Sequence, residues 1–314
     1  MANHILIDVR LPTSVSGLFD SSDKFYLLEE MKDDDHRWLK IEAFLTYGHP
    51  HTDSKLMDKM PRLKVISNFG VGVDHIDVAA ARKRGIPVGN TPNLLDGATA
   101  DMTFALLMAA ARRIVTGDRF ARSNEFTHYD PSILHGYEVH GTTIGIVGMG
   151  SIGKQVAKRA LGFDMNIIYH NRKPDPDDVN YEAKYVSLIT LLESSDFVTL
   201  NCPLTDETQG LISESTLKIM KSNAILINLA RGGVVDHNAL YKALRNNWIA
   251  AAALDVTDPE PLPRNHPLLQ LDNLVIAPHL GSATSLTRQR MARRTVDNLK
   301  AGLGDKSLVT SVSK

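Results

Sequence analysis

The sequence predicts an α/β protein of two Rossmann-like, doubly wound parallel-sheet domains, the second inserted in a discontinuous first. Three observations carry that prediction. At 314 residues the chain is longer than one hydrophobic core usually organises, about 250 to 300 residues. Two series of short apolar runs alternate with helix-length connectors, which is the spacing of βαβ units. The second series opens on GIVGMGSIG (145–153), glycines set between a strand and a helix.

The first series comprises HILIDV (4–9), AFLTYG (43–48), LKVISNF (63–69) and IPVGN (86–90), strands of a small parallel sheet. The charge run KDDDHR (32–37) reads as a solvated face rather than a metal site. The second series comprises TIGIVG (143–148), NIIYHN (166–171), DFVTLN (196–201), AILINLA (224–230), IAAAALDV (249–256) and NLVIAP (273–278), six strands of a doubly wound sheet. Between the series, residues 99–123 have helical spacing and a mostly buried character, so the stretch can bridge the domains. Residues 285–303 are helical again and return to the first domain. The first domain therefore takes residues 1–98 and 285–314, and the second takes 99–284.

A net charge of -1 supplies no field for nucleic acid or an anionic membrane. Cys202 is the only cysteine, so no disulfide forms within the chain and a reducing, cytoplasmic setting fits. The N-terminus lacks a basic leader with an apolar core. TFALLMAAA (103–111) is closed by Arg112 and Arg113 and is too short to span a bilayer, and SVSK matches no lipidation signal. The histidines form no spacing suited to a metal.

In the glycine turn, Gly148 permits the tight turn, Gly150 lets backbone approach a pyrophosphate, and Gly153 lets the helix pack on the sheet. Backbone N–H groups near Ser151 and Ile152 point at the phosphate, helped by the helix dipole. The residue that meets the adenosine ribose lies about 20 residues further on. Asn171 stands in that register, followed by Arg172 and Lys173. An acid there would repel a 2′-phosphate; Asn171 removes the repulsion, and the two cations supply donors for phosphate oxygens. Each such bond is worth about 1.5–3 kcal/mol. The stretch argues for NADPH (NADP+), with NADH the weaker alternative; an incidental basic loop is the other reading.

Three further strands end on polar residues: NLARGG carries Arg231, LDVTDPEPLP carries Glu260 and APHLGSAT carries His279. Ligand sites in such sheets lie at the carboxyl ends of the strands. Together with GMGSIG, NHPLL and, in the first domain, GVGVDHIDVAAARKRGIPVGNTP (70–92), these motifs make the chain resemble the D-isomer-specific 2-hydroxyacid dehydrogenases. The nearest branch is the glyoxylate/hydroxypyruvate and 2-ketogluconate reductases.

The resemblance implies a 2-keto or 2-hydroxy acid substrate and assigns roles position by position. His279 matches the proton donor, and a neighbouring ionised carboxylate, here Glu260, favours the charged form of an imidazole. Arg231 matches the arginine on the substrate's carboxylate and carbonyl, a task for a fixed guanidinium fork. Val71 and Gly72 match the loop whose N–H groups hold the carboxylate. Asp255 matches the acid facing the nicotinamide carboxamide; Thr103, Pro203, Leu229, Ala230 and Gly281 fall where the family lines the cofactor pocket. It also implies a homodimer built through the cofactor domain, with an arm from residues around 120–140.

Alternatives remain within and beyond the enzyme class. Phosphoglycerate dehydrogenase fits less well, since the chain ends soon after the returning helix, and formate dehydrogenases carry glutamine where Glu260 stands. Phosphite oxidation stays open. A dinucleotide-sensing corepressor shares the fold, but the basic ribose site and the DPEPLP and NHPLL segments favour a reductase.

Overall fold

The computed structural model describes residues 2–312. Met1, and Ser313 and Lys314 at the end of the SVSK segment, lie outside the described residues. The chain divides into two compact units, with boundaries at Leu95/Asp96 and Ala283/Thr284.

The first unit carries a five-stranded sheet of β1 (His4–Ile7), β2 (Lys24–Leu27), β3 (Ala43–Thr46), β4 (Val65–Asn68) and β5 (Val88–Gly89), ordered β2-β1-β3-β4-β5. Every pairing is parallel. Burial of all four residues of β3 and of β4 explains why those runs read as continuously apolar rather than alternating. Their two faces feed separate cores: Leu6, Phe44 and Ile66 point to one side, Ile5, Leu45 and Val65 to the other. The returning helix Ser285–Leu303 covers the second side, where Leu299 joins the core and the Thr295 carbonyl accepts from Ser67 Oγ at 2.9 Å. A Cβ at Gly302 would come within 2.5 Å of Val65, so only glycine lets that helix lie so close.

The structure adds β2, which the sequence pattern does not announce, because KFYL is an edge strand with one buried residue of four. It also shortens the expected strands. Asp8, Tyr47, Gly48 and Phe69 stand beyond the carboxyl ends of β1, β3 and β4, in the loops.

The second unit carries seven parallel strands: β6 (Thr143–Val147), β7 (Asn166–His170), β8 (Ala183–Tyr185), β9 (Phe197–Leu200), β10 (Ile225–Asn228), β11 (Ala251–Leu254) and β12 (Leu274–Ile276). Their order, β12-β11-β10-β9-β6-β7-β8, reverses direction between β6 and β9, the switch point at which such sheets open a crevice. Six strands were expected here; the seventh, β8, is a largely exposed edge strand of three residues.

The helix expected over 99–123 is two helices, Asp96–Ala111 and Ile114–Ala121. Arg113 takes a left-handed conformation (φ 51°) between them. The Ala111 carbonyl, which a continuous helix would use internally, instead accepts the N–H of Tyr137 at 2.8 Å. A Cβ at Gly136 would collide with that carbonyl, so the returning chain and the helix break fit each other. Among the described residues no helix is long and apolar enough to cross a membrane, and no group of three His, Cys, Asp or Glu side chains could hold a metal.

Candidate active site

The glycine turn leaves β6 at Gly148, whose φ of 99° is open only to glycine. A Cβ there would also come within 2.7 Å of the Asn201–Cys202 backbone after β9, so the residue closes the crevice as well as turning the chain. Gly153 lies in the first turn of the helix Ser151–Leu161, and a Cβ on it would strike the Gly148 carbonyl. Gly150, the N-cap of that helix, faces open space. Ser151 and Ile152 thus begin a helix whose N-terminal N–H groups lack partners within the helix, with room before them. These features fit a dinucleotide's pyrophosphate.

Asn171 follows β7 directly, and its Oδ1 accepts the Met149 N–H at 2.7 Å. The side chain therefore ties the second strand's end to the glycine turn, a job beyond the one its identity suggests. Arg172 and Lys173 are exposed beside it. The loop is braced from behind by Lys154, which pairs with Asp175 at 3.0 Å and Asp177 at 2.8 Å, raising the lysine's pKa through both hydrogen bonds.

At the other half of the sheet, β10 ends on Asn228, wholly buried. Its Oδ1 accepts from Ala230 N and its Nδ2 donates to the Arg231 carbonyl, both at 2.9 Å, which fixes the turn Leu229–Ala230–Arg231. A Cβ at Gly232 would collide with the Thr257 backbone, so the Arg231 turn packs directly on the loop that carries Glu260. In that loop the Thr257 N–H donates to Glu260 Oε2 at 3.3 Å, and Thr257 Oγ1 donates to the Pro259 carbonyl at 2.9 Å. Glu260 Oε1 lies 2.7 Å from Nδ1 of His279, with both side chains partly exposed, 40% and 33%. His279 has a left-handed backbone (φ 57°), a conformation that clusters at functional sites.

Asp255, only 2% exposed, shapes the turn beneath that pair. Its two oxygens accept the N–H groups of Leu280 at 2.6 Å and Gly281 at 2.7 Å, while its own carbonyl accepts the His279 N–H at 2.9 Å. Burial pushes its carboxyl pKa up, opposed by those two N–H bonds. A Cβ on Gly281 would stand 3.1 Å from Asp255 Oδ2, close enough that the carboxylate would have to shift by a few tenths of an ångström. Thr103, buried, bonds back to the Thr99 carbonyl at 2.9 Å within its helix, and the Pro203 carbonyl accepts from Thr208 Oγ1 at 2.7 Å.

In the first unit, Val71 and Gly72 follow β4. Their carbonyls are taken by Asn90 Nδ2 at 3.0 Å and Asn68 Nδ2 at 2.9 Å, which commits the loop's acceptors to the fold. Sequence reasoning passed over Asn68, Asn90 and Asn228. Each is a polar residue at or just beyond the end of an apolar strand, the same signal that marked Arg231 and His279.

Residues 104–281 match the model of the D-isomer specific 2-hydroxyacid dehydrogenase NAD-binding domain. A glyoxylate reductase of Thermococcus litoralis is 47% identical over 292 residues, 89% of this chain and 88% of the relative; one from Pyrococcus horikoshii is 48% identical over 267 residues, 83% and 80%. The structure is also similar to the NADPH-dependent glyoxylate/hydroxypyruvate reductase of Sinorhizobium meliloti crystallised with NADP and malonate, with a TM-score of 0.91 at 30% identity, covering 100% of this chain and 97% of that one. The chain belongs to the D-isomer specific 2-hydroxyacid dehydrogenases, NAD(P)-dependent oxidoreductases that act on CH–OH groups.

Proposed function

We propose that the protein is an NADPH-preferring reductase of small 2-keto acids, glyoxylate and hydroxypyruvate foremost, yielding D-2-hydroxy acids. The observation that carries this reading is the His279–Glu260 pair, 2.7 Å apart at the strand ends of the sheet that begins with the glycine turn. Relatives named glyoxylate reductase and the NADP complex of the S. meliloti enzyme support it.

The glycine turn and the start of the helix Ser151–Leu161 hold the pyrophosphate, and Arg172 and Lys173 hold the 2′-phosphate. Asp255, Thr103, Pro203, Leu229, Ala230 and Gly281 line the rest of the cofactor's place. When bound, the nicotinamide supplies a hydride. The N–H groups of Val71 and Gly72 and the guanidinium of Arg231 grip the carboxylate, and Arg231 also polarises the carbonyl. His279 gives its proton to the carbonyl oxygen, so that hydride and proton together complete the alcohol. Glu260 orients the ring through Nδ1, leaving Nε2 to the substrate.

In this reading the first unit binds substrate and the second binds the dinucleotide. The exposed side chains of Phe126 and Tyr129, 50% and 82% accessible, suit coverage by a second copy as a homodimer. The single cysteine suits a cytoplasmic setting.

The test is a set of initial rates with hydroxypyruvate, glyoxylate and 2-keto-D-gluconate, each with NADPH and with NADH, on the wild type and His279→Ala. Turnover faster with NADPH and lost in the variant, while NADPH still binds, is the expected result. Full turnover by the variant removes His279 from its role, and NADH matching NADPH removes the cofactor assignment.

A further inference from the structure

Two consecutive carbonyls of the loop after β4 are held by one short segment after β5. The Gly70 carbonyl accepts the Thr91 N–H at 2.9 Å, and the Val71 carbonyl accepts Asn90 Nδ2 at 3.0 Å. In a trans peptide the N–H points opposite to the C=O. With both carbonyls turned toward residues 90 and 91, the N–H groups of Val71 and Gly72 face the other way. Successive N–H groups on one side of the backbone form an anion-binding concavity. These two are the pair assigned above to the substrate's carboxylate.

The segment is itself held from behind. The Asn90 carbonyl, in the same peptide as the Thr91 N–H, accepts from Thr310 Oγ1 at 2.6 Å and from Asn298 Nδ2 at 3.1 Å. Asn298 lies in the returning helix, wholly buried, and its Oδ1 accepts the Thr310 N–H at 3.0 Å. A Cβ on Gly89 would stand 2.7 Å from Asn298 Nδ2, so the glycine leaves that amide its place. Ser311 pairs antiparallel with Gly89, and the Val312 N–H donates to the Val88 carbonyl at 2.8 Å, which lays this stretch along β5. All of these residues belong to the first unit.

A line of hydrogen bonds thus runs from Thr310 through the Asn90–Thr91 peptide to the Gly70–Val71 peptide, whose N–H ends it. Each peptide accepts on its carbonyl and donates on its N–H, and bonds in such a chain polarise one another. We propose that Asn90 and Thr310 are positioning residues for the 2-keto acid, holding the N–H groups of Val71 and Gly72 in the orientation that grips the carboxylate. The inference rests on the assignment of that pair to the carboxylate. Both side chains act on the loop and not on the reacting atoms, so their loss falls on substrate binding rather than on hydride transfer or the dinucleotide.

The experiment measures kcat and KM for glyoxylate and hydroxypyruvate, and Kd for NADPH by fluorescence, in the wild type, Asn90→Ala, Thr310→Val and Thr310→Ser. Valine keeps the shape of Thr310 without its hydroxyl, and serine keeps the hydroxyl as a rescue. Thr310 is only partly buried, so its variants decide the matter if Asn90→Ala does not fold. KM for both acids should rise on the order of tenfold in Asn90→Ala and about threefold in Thr310→Val, with kcat and the NADPH Kd changed less than about twofold. Thr310→Ser should match the wild type. An unchanged KM in Thr310→Val, an equal rise in Thr310→Ser, or a parallel loss of kcat and NADPH affinity overturns the proposal. A wild type that turns over neither acid overturns the reductase reading and this proposal with it, whereas normal wild-type turnover with an unmoved KM in the variants overturns the proposal alone.

Discussion

Nδ1 of His279 lies 2.7 Å from Oε1 of Glu260, and Oε2 of the same glutamate is held by the Thr257 N–H at 3.3 Å. The pair joins two loops that follow β11 and β12, adjacent parallel strands. One carboxylate thereby fixes the ring's orientation and places a negative charge beside it, and these effects can be separated.

Glu260→Gln keeps a hydrogen-bond acceptor for Nδ1 and removes the charge. The ring keeps its orientation but loses the charge that faces it while it gives up its proton. kcat/KM should fall on the order of ten- to a hundredfold, with NADPH binding unchanged. Undiminished turnover would leave Glu260 a purely geometric brace.

Arg172 and Asn171 divide the cofactor problem between charge and backbone. Arg172→Ala should raise KM for NADPH about ten- to a hundredfold while KM for NADH changes little, the loss of one charge-assisted bond. Asn171→Asp preserves an acceptor for the Met149 N–H, seen at 2.7 Å, yet adds a negative charge where the 2′-phosphate would lie. It should penalise NADPH selectively. Equal effects on both cofactors, in either variant, would place the ribose phosphate elsewhere.

Much of this was legible in the sequence because the site hangs on strand ends, and strand ends are where an apolar run meets a polar residue. Arg231, Glu260 and His279 announce themselves that way, Asp255 only through the family resemblance, and the glycines of the turn carry their own geometric demands. What stayed hidden depends on contacts distant in sequence. Nothing local says that Asn171 reaches back to Met149, or that Asp8 binds the N–H groups of Tyr47 and Gly48 some forty residues away. The edge strands β2 and β8 were invisible for a related reason: with few buried residues they leave no apolar run to read. The break at Arg113 follows from Tyr137 capturing the Ala111 carbonyl, a tertiary contact that overrides helical spacing.

His237 contributes an acid-sensitive increment to stability. It is 8% exposed, and its Nε2 meets no hydrogen-bond partner among the described residues, with the His266 ring edge-on at 6.4 Å. Burial, and then the charge of His266, hold its pKa below the usual 6.5. The unfolded chain therefore binds a proton at a higher pH than the folded one. This contribution to stability is complete above pH 6.5 and is lost as pH falls from there toward the folded-state value, at up to about 1.4 kcal/mol per pH unit. Urea unfolding between pH 5 and 8 should show that slope, and His237→Leu should flatten it. An identical slope in the variant would assign the acid sensitivity to other groups.

Cys202 offers a probe of the same crevice. It follows Asn201, whose N–H bonds the Val147 carbonyl at 2.8 Å, and its own N–H lies against Gly148. Burial pushes its thiol up to about 11, from an ordinary value of 9.0. The thiolate is the reactive form, so at pH 8 the native protein should react with iodoacetamide on the order of a hundredfold more slowly than the chain unfolded in urea. If Pro203 borders the cofactor as proposed, saturating NADPH should slow the native reaction further, and Cys202→Ser should retain turnover because the thiol takes no part in the chemistry. Native labelling as fast as that of the unfolded chain would mean that the loop after β9 opens readily. Loss of turnover in the serine variant would instead bring the sulfur into the mechanism.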